Sequence, residues 1–437
     1  MTYPLTTSRL RWLLPGLALL FCLVLPAQDI RTTWWNKDNK QSEGPIRDTL
    51  PHGEWKYWYP DGKLWSQGTF DMGERSGVWK FWYENNALHK EMNYTSGDYR
   101  EWYPGGQPKV QGHIVASRNL GIWKHYYPDG QLEEELIWKD GKREGPVKKY
   151  HPNGKPSFLS TYSNDSLNGA AVWYYDNGAL EMEGFLKNDL QDSLWTFYHA
   201  NGQTGSKGRF MAGEQEGHWI YYYDTGEKWK EGEFSRGQRQ GKWITWYESG
   251  RKDHEGPFLN DLEHGFWQSW YENGRLKDQG HFEMGRMDGK WEGWYPDGKK
   301  QYIVHYQKGQ RHGLASWWYD NGLQKSSGAF ERGEKNGRWT EWYLSGHIKE
   351  QGGYRMGVQH GRWVYYDDRG IISREQTFKD GRPEGYWAEY YANGKKKSEG
   401  SYLENFKHGK WSYWDQDGKL LYGIVFDKGK KIKEVKP

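Results

Sequence analysis

Aromatic, glycine and polar positions recur along this chain in one fixed frame, as from Trp195 to Trp219 to Trp243. Counting from the Trp of a Gly-x-Trp triplet as slot 0, the repeat reads Trp or Tyr at +3 throughout and, in most copies, Tyr at +4, Asp or Asn before Gly at +7, Gly near +13 and Phe or Tyr near +15; His151, His199, Asp367 and Asp415 replace the Tyr at +4. Slot 0 holds Trp55, Trp79, Tyr99, Trp123, Val147, Ala171, Trp195, Trp219, Trp243, Trp267, Trp291, Ala315, Trp339, Trp363, Trp387 and Trp411, and only the step from Trp79 to Tyr99 is shorter than the others, by four positions. An incomplete repeat, residues 31–52, comes first, with Trp34, Trp35, Gly44 and Ile46 in frame. Side chains alternate across a strand, so slots 0 and +4 share one face and slot +3 takes the other. Rings at 0, +3 and +4 would also fit one helical turn, but the Gly or Asn at +7 ends any helix before it is established.

Gly at +7, or Asn86 in its place, accepts the positive φ of a tight turn. A second strand follows, such as residues 64–70, and another Gly-containing turn such as 73–77 leads into the next marker. Each repeat is therefore expected to be one β-hairpin. A four-residue loop would place slots summing to 13 opposite each other, so that Trp at 0 covers Gly at +13. Trp123, Trp291, Trp363 and Trp411 would then face Leu136, Val304, Gln376 and Ile424. A lone hairpin does not bury enough surface to stand, so stability must propagate between neighbours. The expected fold is all-β: an elongated single-layer antiparallel β-meander of about sixteen tandem hairpins, roughly 150 Å long before strand twist coils it into a rod or trough.

Composition sharpens this. Of the residues, 35% are apolar and 18% aromatic, so rings supply about half of the apolar side chains. Residues 1–27 differ in kind: Arg9 and Arg11 precede an apolar run, residues 12–25, too short to span a bilayer and read as a signal peptide cleaved after Ala27. Cys22, the only cysteine, lies inside it, so the mature chain has no disulfide, thiolate ligand or cysteine nucleophile. Formal charge is +3, or +1 after subtracting Arg9 and Arg11, with no run suited to nucleic acid. The repeat array is assigned to residues 28–429, with full repeats from about residue 53, and residues 430–437 form a Lys-rich tail.

The repeat resembles the MORN family, more closely its bacterial variant. Segments His264-Gly265-Phe266-Trp267 to Asn273-Gly274 and Lys407-His408-Gly409-Lys410-Trp411 carry the resemblance, with Gly-x-Trp where the better-known MORN type is similar to Gly-x-Gly. The resemblance implies protein-protein scaffolding, with lipid contact and an antitoxin-like role as further family associations. An export signal argues against a cytoplasmic antitoxin.

Catalytic chemistry is not expected. His264, His312, His360 and His408 recur at every second repeat, about 19 Å apart on the expected sheet, too far to share an ion. They and the carboxylates Asp129, Asp176 and Asp297 read as turn residues. His254-Glu255 lacks the second His of a zinc-protease helix, and there is no phosphate loop or nucleophile elbow. No catalytic, cofactor or metal site is assigned. The candidate partner-binding row is slot +3, always aromatic: Trp58, Trp82, Trp102, Tyr126, Trp246, Trp270, Trp294, Trp318, Trp342 and Trp414 among its members. The expectation is an exported scaffold, periplasmic, cell-surface or secreted, that binds protein. A polysaccharide partner is the alternative, a membrane-surface contact is weaker, and end strands offer a route to homo-oligomers.

Overall fold

The structure, a computed structural model, describes residues 29–436. The apolar leader and its cleavage point at Ala27 lie outside them. Among the described residues there are strands and turns but no helix, from Asp29–Trp34 to Lys430–Val435. The chain divides into two compact units, one ending at Lys142 and one beginning at Arg143. Each is an antiparallel meander in which every hairpin pairs with the next. The lysines at 430, 431 and 433 lie on the last strand, where charge discourages pairing with another chain.

Two turns alternate. In the first, Tyr59 N–H donates to Lys63 at 2.8 Å and Gly62 N–H to Tyr59 at 2.9 Å, leaving a three-residue loop. Gly62 has φ +86° and Asn86, its one non-glycine counterpart, +67°, so slot +7 is chosen for positive φ as expected. The loop is one residue shorter than the expected four. An extra residue in the following strand restores the register: Tyr57 pairs with Ser66, but Trp58 pairs with Leu64. Slots +10 and +11 thus both oppose slot +2, and Trp65 at +10 joins Tyr57 on one face. The second turn is a two-residue loop, as at Met72 (φ +46°) and Gly73 (φ +91°) between paired Asp71 and Glu74.

Trp55 pairs with Gly68 and Trp123 with Leu136, as the register required. The ring, however, covers a different glycine. A second irregularity lets residues 77–79 bow out opposite Gly68, and the Trp79 indole folds back over it. A Cβ on Gly68 would lie 2.2 Å from Trp79 Cδ2. Eleven Gly and Trp pairs, all at this same separation in sequence, repeat the contact, from Gly44 under Trp55 to Gly400 under Trp411. Each Trp therefore covers the glycine of the preceding repeat rather than the one opposite it, which corrects the expectation. The bow also frees a carbonyl, and the indole N–H takes it: Trp79 donates to Thr69 at 2.9 Å and Trp339 to Ala329 at 2.9 Å. Trp123 alone of the eleven leaves its N–H buried without a partner.

Exceptions keep the volume. Ser160 stands where the glycine would be ahead of Ala171, and Val304 ahead of Ala315; all four are buried. Gln376 keeps the Trp above it, and Trp387 is consequently only half-buried. In the shortened step between Trp79 and Tyr99, residues 94–97 turn the chain early, the second loop is lost, and Met92 pairs directly with Tyr99. Around each Trp, the +15 ring packs edge-on, Phe70 to Trp79 at 4.9 Å and 80°, and a cation at slot +20 caps it in several repeats, Lys407 lying 4.0 Å from the Trp411 centroid. In this way a single layer buries its tryptophan row without a second sheet.

Slot +4 ties repeats together. Eleven of its tyrosines donate their hydroxyl to the slot +3 carbonyl of the next repeat, Tyr247 to Trp270 at 2.8 Å among them. His151 and His199 reach the same carbonyl at 2.7 and 3.1 Å. Burial, with Asp253 adding, pushes the Tyr247 hydroxyl up to about 12, so it stays a donor. Tyr247→Phe is expected to lower stability by about 1 kcal/mol, one net hydrogen bond, in urea unfolding; no change would remove the tether.

Candidate interaction faces

Slot 0 and slot +4 are used up internally: fourteen of the sixteen slot 0 residues are buried, and the hydroxyls at +4 are committed to the backbone. Slot +3 is different. All ten candidate residues, Trp58, Trp82, Trp102, Tyr126, Trp246, Trp270, Trp294, Trp318, Trp342 and Trp414, are half-buried on the face opposite slot 0. Among the described residues no protein acceptor takes the indole N–H of any of its nine tryptophans, and none of those N–H groups is sealed from solvent. Four tyrosines of the row, Tyr126, Tyr198, Tyr366 and Tyr390, bond sideways to slot +12 of the preceding repeat, as Tyr198 does to Glu183 at 2.6 Å and Tyr390 to Glu375 at 3.0 Å.

Charges flank the row. Lys300 Nζ sits 3.8 Å from the Trp294 centroid and Lys228 Nζ 4.8 Å from that of Trp246. Burial pushes the Glu292 carboxyl up, but hydrogen bonds from Lys290, Lys300 and Gln279 outweigh it and hold the group down at about 2. Because the folded value lies below the ordinary glutamate range, this stabilisation is present above that range and disappears as pH falls through about 2. Glu292→Gln should therefore lower the unfolding midpoint at pH 7 and leave it unchanged at the acid end; an equal loss at both would refute the pairing.

The Trp face holds what the motif did not reveal. Slots +2 and +11 form a continuous cross-strand row beside the buried tryptophans, and its members vary: Phe197, Ser206, Tyr221, Lys230, Thr245, His254, Ser269, Asp278, Gly293 and Tyr302 follow one another. Where Gly293 removes a side chain, Tyr302 fills the space, its Cε1 2.1 Å from where a Cβ would stand. Elsewhere gaps persist. One cleft of about 600 Å³ lies between Phe197, His199, Tyr221, Tyr223 and Trp229. A second, about 490 Å³, lies on the other side of Trp229 with Lys230, Arg239, Thr245, Asp253 and His254. The changing residue types at these slots are the signal that could have found them. A smaller, polar concavity is lined by Lys349, Glu350, Tyr365 and Arg374, where burial and then Glu341 raise the Glu350 carboxyl.

The repeating histidines sit at second turns, and four of them lie beside a turn acid: His52 and Asp71 at 3.4 Å, His264 and Glu283 at 3.7 Å, His360 and Asp380 at 3.6 Å, His408 and Asp427 at 3.4 Å. Asp129 and Asp297 accept the N–H two residues on, at 2.9 and 3.0 Å, which is turn geometry. Among the described residues no three His, Cys, Asp or Glu side chains are grouped to hold a metal.

The MORN repeat variant matches ten stretches: residues 51–72, 75–96, 119–140, 143–164, 167–188, 287–308, 335–355, 359–380, 383–404 and 407–427. The chain belongs to the MORN repeat variant family. Each matched MORN-variant stretch opens four residues before slot 0, so the family unit takes in the Gly-x-Trp bow, the first turn and the second strand. No curated protein matches the chain. Similar solved structures include the Tc holotoxin pore of Photorhabdus luminescens (9% identity, 91% of this chain, 24% of that chain, TM-score 0.15). A TcdB2-TccC3-Cdc42 crystal structure (9%, 85%, 25%, 0.14) and alternansucrase with isomaltononaose (11%, 78%, 23%, 0.17) are others. This MORN-variant chain spans about a quarter of the length of each.

Proposed function

We propose that this MORN-variant protein is an exported, non-enzymatic scaffold that holds a protein partner at the cell envelope through its slot +3 face. One observation carries the reading: the indoles of slot +3 keep their N–H groups unspent, whereas ten of the eleven indoles seated over glycines spend theirs on the chain itself. Aromatic rings with a free donor are among the residue types that dominate the energetics of protein interfaces. The apolar leader supports export, and the repeated carboxylates and histidines serve turns and ion pairs. Incubating the immobilised protein with envelope extracts is expected to retain a protein in stoichiometric amount; retention of polysaccharide alone would overturn the scaffold reading.

A polysaccharide partner is a second reading, favoured by the aromatic clefts on the other face. Those clefts are built mainly from slots +2, +10 and +11, with the buried slot 0 rings of Trp243 and Trp267 reaching the second of them.

A further inference from the structure

We infer that the Trp face carries a binding site for an acidic oligosaccharide, built on Trp229 and Lys230. These neighbours in sequence would point to opposite faces of a regular strand. The extra residue at slots +10 and +11 turns both to one face, and Lys230 Nζ lies 4.2 Å from the Trp229 centroid and 4.6 Å from that of Tyr221.

Trp229 is 39% exposed and forms the wall between the two clefts. The first opens because Gly205 and Ser206 occupy the same slots one repeat earlier and offer little side chain. Its walls are Phe197, Tyr221, Tyr223 and Trp229, flat surfaces against which the C–H face of a pyranose packs. The second is polar, with Thr245, Asp253 and His254 available to hydroxyl groups.

Charge selects among sugars. Lys230 is half-buried, and no carboxylate among the described residues pairs with it; the group nearest in charge is Arg239, of like sign and already 3.0 Å from Asp261. Burial first, and then Arg239, depress the Lys230 ammonium below the ordinary lysine range. A carboxylate seated there would offset both effects by supplying the opposite charge that the ammonium lacks. A ring in the first cleft and a uronate over Lys230 in the second describe an oligosaccharide of at least two residues. The lack of a basic row disfavours a polyphosphate chain, which needs several cations in line.

Slot +10 holds tryptophan in one other repeat, and it supplies the control. Trp65 is 41% exposed, but Ser66 follows it in place of a lysine. Calorimetry and tryptophan fluorescence with the full chain would use trigalacturonate and, as a neutral probe, cellotriose. Trigalacturonate is expected to bind about tenfold or more tightly than cellotriose, the worth of one charge-assisted bond. Trp229→Ala should lose trigalacturonate by a similar factor with an unchanged thermal melt. Lys230→Gln should bring the two sugars to equal affinity, and Trp65→Ala should bind as wild type does. Failure of the wild type to bind trigalacturonate, equal affinity for both sugars, or a loss in Trp65→Ala matching that in Trp229→Ala would each overturn the site. The slot +3 reading is untouched by any of these outcomes, because Trp246, Trp270 and Trp294, on which it is tested, line neither cleft.

Discussion

Gly208→Val alone is expected to destabilise the second compact unit by about 3 kcal/mol or more, and Trp219→Ala alone by about 3 to 5 kcal/mol. Combined, they should cost far less than their sum. A Cβ on Gly208 would stand 2.2 Å from Trp219 Cδ2, so the valine drives the indole out and takes with it the bond to Arg209 at 3.1 Å. With alanine at 219 the valine has the volume that the ring vacated, as Val304 does ahead of Ala315. Coupling of at least about 2 kcal/mol is expected for two groups competing for one space. Urea unfolding, with hydrogen exchange over residues 200–225 locating the loss, measures it. Additive losses would mean that ring and glycine do not share the space described.

The second large effect concerns binding. Replacing Trp246, Trp270 and Trp294 together by Ala should reduce retention of the protein partner by at least about a hundredfold, since interface hot spots contribute about 2 kcal/mol or more each. Stability should fall much less than for Trp243→Ala in the neighbouring slot, because the slot +3 rings are half-exposed and Trp243 is buried. The two rows are separated by three residues in sequence and by the thickness of the sheet in space. Unchanged retention by a folded triple variant would remove slot +3 from the interface.

Much of this was legible in the sequence. Gly62 and Asn86 announce positive φ, and the period-two alternation assigns Trp55 and Tyr59 to one face and Trp58 to the other. The pairing of Trp291 with Val304 follows from counting alone. What escaped were the two irregularities, because an extra residue changes which side chains meet without changing composition or period. They shift Trp79 from facing Met92 to covering Gly68, and they bring Trp229 and Lys230 to one face. The trace was present: Ser160 with Ala171 and Val304 with Ala315, like Leu136 with Val147 in sequence, exchange size at the separation of Gly68 from Trp79, not at that of Trp55 from Gly68. The tyrosine tethers at slot +4 leave no such trace, since their acceptors are backbone carbonyls that any residue supplies.

The division of labour between the two faces is tested most directly by oxidative footprinting of the tryptophans, read by mass spectrometry on the free and the partner-bound protein. In the free protein Trp79, Trp195 and Trp219, buried at slot 0, should resist oxidation while Trp246, Trp270 and Trp294 react. On binding, protection should fall on the slot +3 tryptophans and leave Trp65 and Trp229 reactive. Protection confined to Trp65 and Trp229, with slot +3 as reactive as before, would place the partner on the other face and contradict the account.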